Sequence, residues 1–357
     1  MNIENYEDLE VLANQYDLPV EDILFIALNR YGVNMDCEDN RIRFYLTLNT
    51  LKEEYFFAVC VNTCHTPFTI KDKKLYLNNK VIGNLSKIEK DTCTSTYFRC
   101  GKRAMTINSN SRSKCAGCKF CGTYKLDSDE DENLTTKEEL LNYYKKIMKE
   151  NGLNDLSDMF QITVCTGCFE NEQRLVDHLI FLKKTLGEIG FKGKINYIGS
   201  QLRSKEQLER IKNEIGTFSI FLTIERFTER EKFMRPEKAS LTIEKALEIA
   251  KECKRLGFIV SFLYILGLEN LQVFEKYTRE LSPYLTKFPD VQIYQDYTCE
   301  QEKYRCEEAK DFRYYLNARK ILENIFMDSV LKPESWENYR SLFYTTFRGK
   351  PHEGFRK

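Results

Sequence analysis

The sequence has no net charge, no long apolar run and only three histidines. Its 54 Lys and Arg residues balance 54 Asp and Glu residues, so no overall charge attracts nucleic acid or an anionic membrane. No apolar run approaches the ~18 residues of a membrane span. The start, M-N-I-E-N-Y-E-D, has neither the basic nor the apolar region of a signal peptide. We therefore expect a cytoplasmic protein that does not bind nucleic acid.

Cysteine, by contrast, is abundant, with 13 residues in a chain of 357. A reducing cytosol rarely uses cysteines as structural disulfides. An odd number without a secretion signal therefore indicates free core thiols together with a metal site. Apolar residues make up 42% of the chain, which is enough for a substantial core in one large domain or two ordinary ones.

From about residue 100 the chain alternates short apolar runs with amphipathic helical patterns. The runs, which are typical of buried parallel strands, are Ala104–Ile107, Phe160–Cys165, Ile195–Ile198, Phe218–Ile224, Phe258–Leu266 and Val291–Tyr294. Capping-box patterns at Thr136 and Ser204 predict helix starts, and a last helix is predicted at about 308–327. Six strand–helix units in series predict an α/β fold, as an open doubly wound sheet or a partial or complete (βα) TIM-type barrel.

The first hundred residues are organised differently, as a small α+β unit. The predicted elements are helices at about 6–16 and 20–31, strands at 41–49 and 55–62, and a hairpin turning at Asn78-Asn79. We predict an N-terminal α+β extension or cap at 1–99, a βα barrel at 100–330 and a C-terminal tail packing on the barrel at 331–357. The N-terminal unit could be a structural cap, a cover for the bottom of the barrel, a lid, or a binding site for a peptide or carrier.

Residues 113–124 read S-K-C-A-G-C-K-F-C-G-T-Y and follow the first predicted strand of the βα series. A structural zinc site needs four ligands, and no obvious fourth ligand is near Cys115, Cys118 and Cys121. A [4Fe–4S] cluster takes one thiolate per iron, so three cysteines would leave one iron open for a substrate or cofactor. We predict such a site; zinc with a distant fourth ligand, and a loop of free thiols, are the alternatives.

The stretch K-C-A-G-C-K-F-C-G resembles the cluster loop of the radical S-adenosylmethionine (radical SAM) superfamily. The usual spacing in that family is three residues and then two, whereas here it is two and two, so Cys100 is a conceivable substitute ligand. The resemblance implies a [4Fe–4S] cluster on Cys115, Cys118 and Cys121 that chelates SAM and cleaves it to a 5′-deoxyadenosyl radical. It also implies a reducing partner such as flavodoxin or ferredoxin, and places Phe120 near the adenine.

Residues at the predicted strand ends, where βα folds collect their chemistry, extend the resemblance. L-T-I-E-R-F-T-E-R-E-K-F-M-R-P and Y-I-L-G-L-E look most like the biotin synthase and methylornithine synthase branch. By this resemblance Glu225 would bind the ribose hydroxyls of SAM, and Arg235 or Lys245 its carboxylate. The other implied cofactor contacts are Thr166 and Gly167 at the amino group, Thr223 beside Glu225, and Gly267 beside the adenine.

Four further cysteines follow the second and sixth predicted strands: Cys165, Cys168, Cys299 and Cys306. Together they could hold an auxiliary iron–sulfur cluster. Alternatively, Cys165, Cys168 or Cys299 could be a catalytic thiol that returns a hydrogen atom, or all four could simply pack. No cysteine lies in the third or fifth predicted strand, which disfavours sulfur insertion of the biotin synthase type.

The sequence thus predicts a radical SAM enzyme that takes hydrogen from a small polar or peptide substrate in an anaerobic biosynthetic reaction. The alternatives are a non-catalytic iron–sulfur protein for electron transfer or sensing, and a zinc-stabilised binding domain. Metal content distinguishes the zinc domain from the other two, and cleavage of SAM distinguishes those two from each other.

Overall fold

The computed structural model describes residues 1–91, 97–110, 117–121, 134–334 and 337–353. It is a mixed α/β fold with two main sheets, one near the N-terminus and one built from the βα series. In the described part of the chain, no helix combines the length and apolarity that crossing a membrane would take.

The N-terminal residues form two helices and an antiparallel sheet, as the sequence predicts. A capping box formed by Asn5 and Asp8 starts α1 (Tyr6–Tyr16), and α2 (Val20–Tyr31) begins directly after Pro19. The strands are β1 (Arg41–Leu48), β2 (Glu54–Cys60), β3 (Phe68–Lys71), β4 (Lys74–Leu77) and β5 (Lys80–Lys90). Their order across the sheet is β2-β1-β5-β4-β3, and the β4–β5 turn is at Asn78-Asn79, where both residues have positive φ.

The larger sheet has seven strands and curls into a half barrel. The strands are β6 (Tyr97–Arg99), β7 (Ala104–Ile107), β8 (Gln161–Cys165), β9 (Lys194–Gly199), β10 (Phe218–Glu225), β11 (Ile259–Leu266) and β12 (Asp290–Ile293). They lie in chain order; β7 to β12 pair in parallel, and β6 is an antiparallel edge. The predicted parallel sheet is confirmed. Its edges, β6 and β12, are not paired with each other in the described part of the chain.

Helices connect the parallel strands or follow the last of them, and all but the two one-turn helices bury one face in the core. They are α3 (Lys137–Asn151), α4 (Glu172–Gly187), α5 (Lys205–Glu214), the one-turn helices α6 (Arg230–Phe233) and α7 (Pro236–Ala239), α8 (Ile243–Arg255), α9 (Leu271–Leu281) and α10 (Arg313–Ile325). The capping box predicted at Thr136 is present at the start of α3. A two-residue hairpin, β13 (Thr346–Phe347) and β14 (Lys350–Pro351), follows α10.

The C-terminal segment 337–340 lies between the two edges of the half barrel. On one side the Ile293 N–H of β12 donates to the Arg340 carbonyl at 3.0 Å. On the other side Arg99 Nη1 of β6 donates to the Glu337 carbonyl at 2.8 Å. The segment therefore bridges the strands that the sheet itself leaves apart.

The N-terminal sheet lies against the open side of the half barrel. Arg41 of β1 donates to the hydroxyls of Tyr297 and Tyr339, at 2.6 and 3.1 Å. Gln295 Nε2, just after β12, donates to the Ala58 carbonyl of β2 at 3.1 Å. The two sheets and the C-terminal segment thus enclose one interior.

A buried ion pair connects α2 to α10. Asp22 and Arg319 are 0% and 1% exposed, and Arg319 Nη1 lies 2.6 Å from Asp22 Oδ2. The Asp22 carboxylate also accepts from the backbone N–H and hydroxyl groups of Thr345 and Thr346, at 2.6 to 3.2 Å. These partners offset the cost of burying the two charges.

Candidate functional site

A cavity of about 790 Å³ lies between the half barrel and the N-terminal sheet, within the usual range for small-molecule sites. Alternate residues of the parallel strands line it, as the two-residue repeat of a strand requires. They include Gln161, Thr163, Cys165, Asn196, Ile198, Phe221, Glu225, Leu263, Ile265, Asp290 and Gln292. The facing wall comes from β1 and β2, through Arg41, Arg43, Tyr45 and Phe56. Of the polar residues in this lining, sequence reasoning identified only Cys165 and Glu225.

The described end of the cysteine loop, 117–121, lies at the carboxyl ends of β11 and β12. Cys118 and Phe120 are 6% and 4% exposed and pack in one apolar cluster with Ile265, Leu268 and Tyr294. Phe120 and Cys121 also line the cavity. Cys115, the third predicted ligand, lies outside the described residues.

The chemistry of the Cys118 thiol depends on its burial. Burial raises the pKa of Cys118 to about 11, and the nearby Lys238 ammonium opposes this shift. Without a metal the thiol is therefore protonated at neutral pH. Metal binding requires the thiolate, so a metal ligated here would release a proton. Two cysteines three positions apart, beside a cavity and a cation, fit the thiolate donor set of an iron–sulfur cluster.

The loop is anchored where it leaves β7. The Asn110 N–H donates to Thr166 Oγ1 at 2.7 Å, and the Gly167 N–H donates to the Asn110 carbonyl at 2.9 Å. Neither Thr166 nor Gly167 lines the cavity in the described part of the chain. Thr166 and Gly167 thus contact Asn110 at the start of the loop, and their assignment to the amino group of SAM stays a prediction.

His178 lies behind the same anchor, and its burial should make the stability of the protein depend on pH. Its Nε2 is 2.7 Å from Ser109 Oγ, and burial lowers the pKa of His178 from 6.5 to about 4. Between these values the unfolded chain binds a proton that the folded chain does not, so stability falls as the pH falls through this window. Between pH 7 and pH 5 the unaltered protein should therefore lose about 1–2 kcal/mol more unfolding free energy than His178→Gln does.

Urea denaturation at the two pH values measures this difference. The matched control is His65→Gln, at an exposed position, which should retain the pH dependence of the unaltered protein. An identical pH dependence in His178→Gln and the unaltered protein would contradict the assignment.

Glu225 ends β10 with an uncommon backbone conformation. Its φ is +62°, the β10–β11 register shifts just before it, and it lines the cavity. Glu225 Oε1 accepts from Lys238 Nζ at 2.6 Å, whereas Oε2 is buried and has no hydrogen-bond partner among the described residues. Left-handed backbone in a residue other than glycine costs free energy and is concentrated at functional sites. Thr223 is also buried, but it does not line the cavity in the described part of the chain.

The cations predicted for the SAM carboxylate lie in different places. Arg235 is 9% exposed and contacts the sulfur of Cys168 through Nη2. Lys245 is partly exposed in the first turn of α8 and pairs with Glu248 at 2.8 Å, so the structure does not bring it to the site. Lys238, which the sequence reasoning missed, is the cation beside Glu225.

Gly267, assigned to adenine by resemblance, is held by neighbouring backbone and side chains. Its N–H donates to Tyr314 Oη at 3.2 Å, and its carbonyl accepts from the Cys306 N–H at 2.9 Å. Gly267 does not line the cavity in the described part of the chain. Close packing at this turn accounts for the glycine, and its contact with adenine stays a prediction.

Gly267→Ala should lower the free energy of unfolding by about 2–4 kcal/mol. The φ of Gly267 is +116°, and an added Cβ would lie 3.2–3.3 Å from Tyr315 Oη, Arg305 Nη1 and Tyr294 Cβ. Gly152 also has a positive φ, of +66°, but open space around it, so Gly152→Ala should cost about 1 kcal/mol. Urea denaturation measures both values; equal losses would contradict the packing argument.

The remaining predicted thiols are dispersed. Cys165 lines the cavity at the end of β8, Cys168 contacts Arg235, and Cys306 Sγ lies 3.1 Å from the Glu269 carbonyl. In the described ranges, no three His, Cys, Asp or Glu residues are grouped so that they could hold a metal ion. The structure therefore does not bring Cys165, Cys168, Cys299 and Cys306 together, and an auxiliary cluster on them stays a prediction.

Two further cysteines differ from expectation. Cys299 is joined to Cys64 by a disulfide with a Cα–Cα distance of 5.6 Å, so it is not a free thiol in this structure. Cys100 lies in the turn before β7, whereas Cys118 and Cys121 follow that strand. The strand separates Cys100 from these two cysteines, which disfavours it as a substitute ligand.

Comparison with known proteins gives a structural likeness but no sequence match. No protein-family model matches the sequence, and no curated protein matches it. Among solved structures, the chain is similar to a radical S-adenosylmethionine methyltransferase, TsrM, from Kitasatospora setae, with tryptophan substrate and the SAM analogue aza-SAM bound. The TM-score is 0.36, with 9% identity over 54% of this chain and 35% of that one. The chain spans about a third of the length of that enzyme, and a likeness this weak supports no further conclusion.

Proposed function

We propose that this protein is a radical SAM enzyme in which Cys115, Cys118 and Cys121 hold a [4Fe–4S] cluster, and that its half barrel is a partial TIM-type radical SAM core. One observation above all supports this. Cys118 and Cys121 lie at the carboxyl ends of β11 and β12, with Cys121 at a cavity large enough for a small molecule. This is the edge at which βα folds place their chemistry.

Cys115, Cys118 and Cys121 would hold the cluster, which when bound would supply the electron for reductive cleavage of SAM and so for hydrogen abstraction from the substrate. In the proposal the electron comes from a reduced flavodoxin or ferredoxin. The apolar surroundings of Cys118 and Phe120 exclude water from that side of the site. The N-terminal sheet forms the facing wall of the cavity through Arg41, Arg43, Tyr45 and Phe56.

Glu225 is proposed to accept hydrogen bonds from the ribose hydroxyls of SAM through Oε2, while Lys238 fixes the carboxylate. Glu225→Gln keeps the size and removes the charge. We expect the Kd for SAM to rise about tenfold or more, because a neutral amide is a weaker acceptor and Lys238 loses its partner.

Isothermal titration without a reductant measures this change independently of turnover. Glu229→Gln, an exposed glutamate four residues further on, is the matched control and should leave the Kd unchanged. A Kd for SAM that does not change in Glu225→Gln would exclude the ribose role.

Metal analysis separates the proposal from its alternatives. After anaerobic reconstitution we expect about four iron and four sulfide per chain. Zinc without iron would instead indicate a zinc-stabilised domain. Iron with no SAM cleavage under any reducing condition would indicate electron transfer or sensing.

A further inference from the structure

Two opposite charges on the cavity wall are held apart by an amide. Gln292 Nε2 donates to Asp290 Oδ2 at 3.0 Å, and Gln292 Oε1 accepts from Arg340 Nη2. All three side chains line the cavity. Across the described residues, Asp290 Oδ1 and Arg340 Nε have no hydrogen-bond partner, and neither side chain forms an ion pair.

Other charges of the same wall are neutralised directly. Arg41 and Arg43 pair with Asp91 at 2.8 and 2.6 Å, and Glu337 pairs with Lys287 at 2.6 Å. Direct pairing is the arrangement that lowers the cost of buried charge.

Asp290 and Arg340 each retain capacity for a ligand of opposite charge. Burial raises the pKa of Asp290 to about 6, so its carboxylate is ionised above that pH at a cost in free energy. A bound cation recovers that cost. A ligand with both charges on adjacent groups would neutralise the two side chains together.

The wall beside this pair is apolar and leads to the cysteine loop. On β11, Leu263 and Ile265 are the register partners of Asp290 and Gln292, and both line the cavity. Ile265 packs in the cluster that contains Cys118 and Phe120. Along the chain, Gln292 is two residues from Tyr294 of the same cluster, a distance of about 7 Å for extended backbone.

We propose that Asp290 and Arg340 bind the ammonium and carboxylate groups of a free α-amino acid whose apolar side chain extends along Leu263 and Ile265 toward the cysteine loop. An α-amino acid carries its ammonium and carboxylate groups on the same carbon. Asp290 and Arg340 are similarly close, because both contact the side-chain amide of Gln292. A phenylalanine side chain is about as long as the ~7 Å of strand between Gln292 and Tyr294 of that cluster. The binding of this amino acid is independent of the proposed function. Its role as the molecule from which hydrogen is taken rests on the proposed function.

The test is isothermal titration of the full chain, reconstituted and with SAM present but no reductant. The probes are the free apolar amino acids leucine, isoleucine, valine, methionine, phenylalanine, tyrosine and tryptophan. For the tightest binder, the matching amine without the carboxylate and the matching acid without the amine are titrated as well. We expect at least one amino acid to bind and both analogues to bind about tenfold or more weakly.

Variants assign the two charges separately. Asp290→Asn should weaken the amino acid about tenfold and leave the acid analogue within about twofold, and Arg340→Gln should weaken the amino acid similarly while sparing the amine analogue. Asp177→Asn, at a partly exposed position on α4, and Arg279→Gln, at an exposed position on α9, are the controls and should bind normally. No binding of any probe, or analogues that bind as tightly as the amino acid, would overturn the proposal. The analogue comparison uses the unaltered protein, so it holds even if a variant fails to fold.

The same titration is repeated with chain that has not been reconstituted, and iron uptake is measured separately on the reconstituted chain. Amino-acid binding together with a failure to take up iron would sustain the zwitterion site and refute the radical SAM assignment. Iron uptake and SAM cleavage without amino-acid binding would do the reverse.

Discussion

Cys118→Ala protein, reconstituted without oxygen, should retain less than about one iron per chain, and its formation of 5′-deoxyadenosine should fall at least about a thousandfold. The reason is that two thiolates cannot hold a cube that needs three in the proposed site. Cys118 is also buried against Phe120 and Ile265, so a replacement ligand from solvent has poor access to this position. Iron and sulfide analysis and a chromatographic assay for the nucleoside measure the two losses.

Cys253→Ala is the matched control for this result. Cys253 is 0% exposed on α8 and belongs to the main hydrophobic core, so its replacement should cost stability of about 1 kcal/mol but no iron. Full iron in Cys118→Ala together with loss of iron in Cys100→Ala would instead assign the cluster to a set containing Cys100.

Arg319→Leu should lower the free energy of unfolding by about 3–5 kcal/mol, because it leaves the Asp22 carboxylate charged and buried without its cation. Arg319 also donates to the Leu342 carbonyl and to Thr346 at 2.7–3.0 Å, so several polar groups lose partners at once. Urea denaturation at neutral pH measures the loss.

Arg313→Leu, on the same helix, is the control for this variant. The Arg313 pair with Asp311 is largely exposed to water, and its loss should cost less than about 1 kcal/mol. The double variant Asp22→Leu/Arg319→Leu should recover part of the stability, since no charge then remains buried. A loss below about 1 kcal/mol in Arg319→Leu would contradict the account of this pair.

Local patterns predicted much of the fold. The helices at 6–16 and 20–31 and the six parallel strands were predictable because apolar periodicity and caps are properties of neighbouring residues. The role of β6 and of 337–340 was not, because it depends on contacts such as that of Arg99 with Glu337, which are 238 residues apart. No short-range signal encodes such a pairing.

The candidate site was likewise predictable only in part. The resemblance directed attention to the cysteine loop and to Glu225, but it chose Lys245, whose place in the first turn of α8 directs it to solvent. The neighbouring cation, Lys238, lies on a one-turn helix that no pattern predicted. The alternation in Q-I-T-V-C and D-V-Q-I could have revealed the polar lining of the cavity, since buried parallel strands are usually apolar on both faces.

The most direct test of the central claim is to reduce the reconstituted protein with SAM and measure 5′-deoxyadenosine. The account predicts that the nucleoside forms in the unaltered protein and in Cys253→Ala, and that it is absent in Cys118→Ala. Adding the amino acid that binds most tightly should increase its rate of formation. A protein that holds four iron per chain and forms no 5′-deoxyadenosine, with or without any of the amino acids, would contradict the account.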